Sequence, residues 1–180
     1  MLLTQFGRLD VLVNNAAVLG NIHDHDVRRA ALHRKLELEL TGKLYAMRHM
    51  KCQWNAWKQI GPKRMVEAFL PLLQSSQSPS IVNASSLVGK LEVPHGAKGW
   101  PLAYAISKAS LNAYTRILAK KLPSFKVICV YPGYVKTDMG HNIGLLTPEE
   151  GAESPVRLAL LPDDGPSGLF FSQKEVSSFE

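Results

Sequence analysis

Only two cysteines, Cys52 and Cys129, occur in 180 residues, and they lie too far apart along the chain for a zinc or redox motif. That scarcity excludes a disulfide-stapled scaffold and predicts a reducing compartment. Cys129, inside Val127-Ile-Cys-Val130, reads as a small buried residue. No apolar run approaches the roughly 18–20 residues of a membrane span, and residues 1–8 lack the charged and apolar regions of a signal peptide. A cytoplasmic protein with no membrane partner is therefore expected. Long tracts of one charge are also missing. The 21 basic and 15 acidic residues give a net charge of +6, yet the densest basic groups are pairs, such as Arg28-Arg29, Lys63-Arg64 and Lys120-Lys121. Without a basic stripe interleaved with aromatics no nucleic-acid partner is expected, and a phosphate-bearing small molecule accounts for the charge as well. His23, His25 and His33 have no accompanying carboxylate or cysteine framework, so no metal site is predicted. Finally, the 13 glycines never form Thr-Gly-x-x-x-Gly-x-Gly or Gly-x-Gly-x-x-Gly, the loops whose backbone amides hold a pyrophosphate.

What is present suits one domain over residues 1–180, with 46% hydrophobic and 20% charged residues. Short β-branched runs at Leu9–Asn15, Ser80–Ser86, Lys126–Tyr131 and Gly168–Ser172 predict buried strands. Helical spacing appears over Val27–Leu40, Lys63–Leu73 and Leu102–Leu122, with Gly61-Pro62 as punctuation and Pro71 as a kink or stop. Pro148–Leu161 predicts a further helix, with Thr147 and Glu150 spaced as a capping box and Pro155 placed to split it. Residues 46–60 carry no clear pattern, and Leu87–Pro101 reads as loop. This alternation predicts an α/β fold with a doubly wound parallel sheet.

In such sheets ligands bind beyond the carboxyl ends of the strands. Asn14-Asn15, Ser85-Ser86 and Pro132-Gly133 each fall at such an end, and Tyr104 opens the helix that follows one of them. Tyr104 and Lys108 share a helix face one turn apart. A phenol titrates near 10, and a neighbouring cation favours its ionised form, which suits acid–base work. Each feature alone is an ordinary turn, loop or surface pair; their convergence on one crevice is the signal.

On these residues the chain resembles the short-chain dehydrogenase/reductases. Asn14-Asn15-Ala16-Ala17 is similar to that family's Asn-Asn-Ala-Gly element, and Ile81–Gly89 to the strand that carries its catalytic serine. Tyr104-Ala-Ile-Ser-Lys108 matches Tyr-x-x-x-Lys, and Tyr131–Thr137 matches the Pro-Gly-x-Val-x-Thr loop. Lys98–Pro101, Ala113–Lys121, Gly144–Gly151, Pro155–Leu161 and Ser167–Phe171 further resemble the plant carbonyl-reductase branch, with its menthol-type and salutaridine-type reductases. The resemblance implies a Rossmann-like fold and NADP(H)-dependent hydride transfer between a small-molecule carbonyl and its alcohol. It implies Ser86, Tyr104 and Lys108 as catalytic residues, with the tyrosine pKa lowered by Lys108. It also implies Asn14, Ala16, Tyr104, Lys108, Pro132, Gly133, Val135 and Thr137 as cofactor-binding. Members of this branch act mostly as monomers, so a monomer is expected.

The chain departs from the family pattern in three ways. It opens on Phe6-Gly-Arg-Leu-Asp10, similar to the lead-in to the family's fourth strand. The Rossmann-like sheet is thus expected to be incomplete, without the first strands and the Gly-rich loop. The family's asparagine ahead of the next helix would fall at Lys58, whereas Asn55 stands three residues early. Ser86 and Tyr104 lie close in sequence, so most of the branch's helical insert is expected to be absent. These departures keep a second expectation open: a catalytically inactive, truncated form, without cofactor binding, that is either unstable or acts by pairing with a full-length relative.

Overall fold

Short runs of Val, Ile and Leu build the middle of a six-stranded sheet. In the computed structural model the described residues are 7–15, 45–46, 57–90 and 102–180. They comprise strands β1 (Val11–Asn14), β2 (Tyr45–Ala46), β3 (Ser80–Ala84), β4 (Lys126–Tyr131), β5 (Phe170–Ser172) and β6 (Glu175–Ser177). The helices are α1 (Trp57–Gln74), α2 (Leu102–Lys121) and α3 (Pro148–Ala159). The sheet order is β2-β1-β3-β4-β5-β6, parallel throughout except for the antiparallel β5–β6 hairpin.

Buried on both sides, β1 and β3 have no exposed face to alternate with, as parallel strands between helices require. Leu12, Ile81 and Val127 stand side by side and pack with Val66, Leu72 and Leu73 of α1 and Leu118 of α2. On the opposite face Val11, Val13, Val82, Ile128 and Val130 pack with Leu158 and Ala159 of α3 and with Phe171. Helices thus cover both faces, as the doubly wound expectation requires. At the amino ends of the strands the buried Lys126 Nζ donates to Ser78 Oγ (2.7 Å) and to the carbonyls of Leu161 (3.0 Å) and Pro162 (3.2 Å), closing that edge.

Three sequence expectations need correction. α1 begins at Trp57 and runs through both Gly61-Pro62 and Pro71 to Gln74. Each proline removes one helix hydrogen bond, but the buried stripe of Val66, Leu72 and Leu73 holds the helix against the sheet, and packing outweighs the local loss. Pro155 does not split α3, whose Thr147–Glu150 capping box forms as expected: Glu150 N–H donates to Thr147 Oγ1 (3.2 Å) and Thr147 N–H to Glu150 Oε2 (2.7 Å). The last strand is followed by β6, which the sequence reading missed. Its exposed Glu175 and Val176 have neither strand-like burial nor clean alternation. The expected helix over Val27–Leu40, Ala16, Asn55 and positions 91–101 of the expected loop lie outside the described residues; Lys58 falls in the first turn of α1.

Candidate active site

The site is assembled where α2 crosses the carboxyl end of β3. α2 is 20 residues long and ends on Lys120 and Lys121, whose charges suit a helix C-terminus, just before Pro123. Its residues Tyr104, Lys108, Asn112 and Thr115 recur at helical spacing and form one polar row facing the sheet. Opposite them, in order, stand Ser86, Ala84, Ser85 and Asn83.

The Lys108 ammonium, 5% exposed, donates to the Ala84 carbonyl at 2.6 Å and lies 5.6 Å from the centroid of the Tyr104 ring. Tyr104 is also 5% exposed. Burial pushes its phenol above the ordinary value, a hydrogen bond with the Ser86 hydroxyl pulls the other way, and Tyr131 adds to the rise. The expectation of a lowered tyrosine pKa is therefore not met in this structure, because desolvation outweighs the Ser86 hydrogen bond. Ser86 also caps the short 3-10 turn Leu87–Gly89, its Oγ accepting from Val88 N–H at 3.4 Å. A glycine is required at position 89, since an added Cβ would stand 2.6 Å from the Lys108 carbonyl carbon and 2.8 Å from Ala109 N.

Asn14 lies at the end of β1, where its Nδ2 donates to Asn83 Oδ1 at 2.8 Å and ties the two strands. Asn83 Nδ2 in turn donates to Thr115 Oγ1 (2.9 Å), and Thr115 Oγ1 to the Leu111 carbonyl (2.8 Å). Pro132 and Gly133 follow β4. Gly133 has φ +99°, and a side chain there would run into Leu146 and Gln173.

The structure thus brings Ser86, Tyr104 and Lys108 together and adds Tyr131 at their side. It does not draw Val135 and Thr137 into the same buried group. Val135 lies against Gly151 of α3 and bridges to Leu146, while Thr137 is exposed and opens the short turn Asp138–Gly140. The sequence reading missed Asn83, Asn112 and Thr115 as members of the site's frame. The four-residue step from Tyr104 through Lys108 to Asn112 was the signal available. Among the described residues no group of three or more His, Cys, Asp or Glu is arranged to hold a metal, and no helix is long and apolar enough to cross a membrane.

A buried phenol, hydroxyl and ammonium thus meet at the carboxyl edge of a parallel sheet, beside a turn that requires glycine. The chain belongs to the short-chain dehydrogenase family: residues 50–145 match the family model for short chain dehydrogenase. It is 44% identical over 218 residues to (+)-neomenthol dehydrogenase of Arabidopsis thaliana, covering 98% of this chain and 72% of that enzyme. It is 32% identical to carbonyl reductase [NADPH] 1 of Mus musculus, covering 97% and 72% of the two chains. The solved structure of salutaridine reductase from Papaver somniferum superposes with a TM-score of 0.68 at 36% identity, over 94% of this chain and 74% of that one. The Arabidopsis alignment is longer than the 180 residues of this chain, so that relative carries internal residues with no counterpart here. The general role of the family is oxidoreductase chemistry.

Proposed function

We propose that this chain carries the catalytic half of an NADP(H)-dependent carbonyl reductase, interconverting a small aldehyde or ketone and its alcohol. The observation that supports it most is the Tyr104–Ser86 hydrogen bond, with the Lys108 ammonium one turn away, all three side chains buried. A phenol raised above its ordinary value is protonated at neutral pH, so Tyr104 is ready to give its proton to a carbonyl oxygen. The Ser86 hydroxyl, already beside the phenol, would donate to the same oxygen and stabilise its developing charge. Lys108 would hold ribose hydroxyls.

This set of donors fits the nicotinamide-ribose end of a dinucleotide, and NADPH, when bound, supplies the hydride. Nothing among the described residues resembles a pyrophosphate loop. That observation keeps a second reading alive, in which the 180-residue chain by itself does not hold the cofactor. In the reverse direction Tyr104 must first lose its proton, so alcohol oxidation is expected to need a higher pH than carbonyl reduction.

The test is NADPH binding and aldehyde or ketone reduction by the purified chain. Tyr104→Phe is expected to lower turnover by about 10²–10⁴-fold while the fold is kept. Absence of binding at millimolar NADPH would sink the enzyme reading for this chain, and turnover abolished by Tyr104→Phe would sink the inactive reading.

A further inference from the structure

Asn112 lies one helical turn beyond Lys108 and, unlike Tyr104 and Lys108, is not one of the residues given a role in the reaction. It is 4% exposed and hydrogen-bonded through both ends of its amide. Its Oδ1 accepts from Ser85 Oγ at 2.6 Å and from Cys129 Sγ at 3.2 Å, and its Nδ2 donates to the Gly89 carbonyl at 3.1 Å. Two donors meet the oxygen and a carbonyl meets the nitrogen, so the amide orientation is the one this network requires.

The partners explain the arrangement. Ser85 immediately precedes Ser86, and Gly89 closes the turn that Ser86 caps, with Gly89 N–H returned to the Ser86 carbonyl at 3.1 Å. One side chain therefore grips that turn on both sides of the serine. The helix that bears this side chain also presents Tyr104 two turns earlier. Beneath it, Ser85 N–H donates to the Val130 carbonyl at 2.7 Å, which anchors the same turn to β4.

We propose that Asn112 is the positioning residue that sets the Ser86 hydroxyl against the Tyr104 phenol. This rests on the reductase reading for its purpose, though the clamp itself stands on geometry alone. Leucine at this position has almost the same shape and no polar atom, and would release both grips, leaving the Ser85 hydroxyl and the Gly89 carbonyl to find other partners. A displacement of the serine by even 1 Å is enough to cost about 10²-fold in rate.

The test uses the full chain and reads Tyr104 directly, by NMR of ¹³Cζ-labelled tyrosine, with the resonance assigned through Tyr104→Phe. Ser86→Ala should move the resonance and push the ionisation upward, because the hydrogen bond that favours the phenolate is gone. Asn112→Leu is expected to produce the same displacement with Ser86 still present, and to add nothing when combined with Ser86→Ala. With NADPH and a ketone, it should lower kcat about 10²-fold with little change in KM. A merely structural asparagine would lower the melting temperature and leave the Tyr104 resonance at its wild-type position, and that result would overturn the proposal. If Asn112→Leu does not fold, Ser85→Ala deletes a single hydroxyl and one grip; an unmoved Tyr104 resonance in that variant overturns the proposal equally. Lack of turnover in the wild-type chain would defeat the reductase reading but leave the NMR comparison intact, so the two failures are distinguishable.

Discussion

The two faces of the sheet are built from the same strands and yet end differently. On the α3 face buried Ser80 and Lys126 stand at the amino ends, and from there to the carboxyl ends the side chains are apolar: Val11 and Val13, Val82 and Ala84, Ile128 and Val130. On the face covered by α1 and α2 they begin apolar, with Leu12, Ile81 and Val127 in one row. Two residues on, the row is Asn14, Asn83 and Cys129. Ser85 and Tyr131 continue the change toward the carboxyl ends. Because side chains alternate with period two, such a switch on one face leaves the other untouched. The chemistry-bearing end of this core was thus made by polar replacements in a single pleat phase, with Asn83 met by Thr115 of α2 and Ser85 and Cys129 by Asn112.

The sharpest way to break this contrast is on the dry face. Phe171 packs with Val130, Ile128 and Leu158 without any polar partner for its side chain. Phe171→Ala is expected to cost about 3–5 kcal/mol, measured by urea unfolding. At pH and temperature where the variant is still folded, the Tyr104 resonance should not move. A displaced resonance would show that the two faces are coupled through the strands.

The polar face, by contrast, should reveal itself through pH. Burial pushes the Cys129 thiol up to about 11 from an unfolded value of 9.0, against the pull of hydrogen bonding with Thr115 and Ser85. The folded protein keeps a proton that the unfolded chain gives up, so this contribution is complete below pH 9 and is lost as pH rises toward 11. The stake is roughly 2–3 kcal/mol. Cys129→Ala should flatten the fall of unfolding free energy between pH 9 and 11, whereas Val130→Ala, one residue away on the dry face, should keep the wild-type slope. Equal slopes for both would remove the claimed asymmetry.

Asn83 tests the polar ladder itself. Asn83→Leu leaves the buried Asn14 amide without its acceptor and is expected to cost about 1–3 kcal/mol in spite of the added apolar volume. The expected observable, beyond stability, is faster hydrogen exchange at the ends of β1 and β3 with the Leu12–Ile81–Val127 row still protected. Uniform exchange across both rows would mean that the ladder is not a separate layer of the structure.

Much of this was legible in the sequence because it depends on local pattern. The strands at Val11, Ser80 and Lys126 lie within or coincide with their β-branched runs, and the α3 capping box follows from Thr147 and Glu150 alone. The grouping of Ser86, Tyr104 and Lys108 followed from strand ends plus a four-residue step. What escaped depends on partners distant in the chain. Nothing local shows that Asn112 grips Ser85 and Gly89, or that Val135 turns toward Gly151 and away from the buried group. Gly61-Pro62 misled for the same reason: a local breaker was overruled by the burial of Val66 and Leu73. The direction of the Tyr104 shift escaped as well, since a sequence shows the nearby cation but not the depth of burial.

The smallest expected effect lies in the cap of α3, the helix that covers the dry face. Thr147 and Glu150 satisfy each other's backbone N–H groups at an exposed helix start. Thr147→Ala is expected to cost about 1 kcal/mol, read as a lower urea midpoint with an unchanged slope. Turnover and the Tyr104 resonance should both stay at their wild-type values. Because α3 packs on the sheet through Leu158 and Ala159, any loss of activity in this variant beyond the unfolded fraction would mean that the dry face takes part in setting the site. The contrast between the faces would then describe composition and not function.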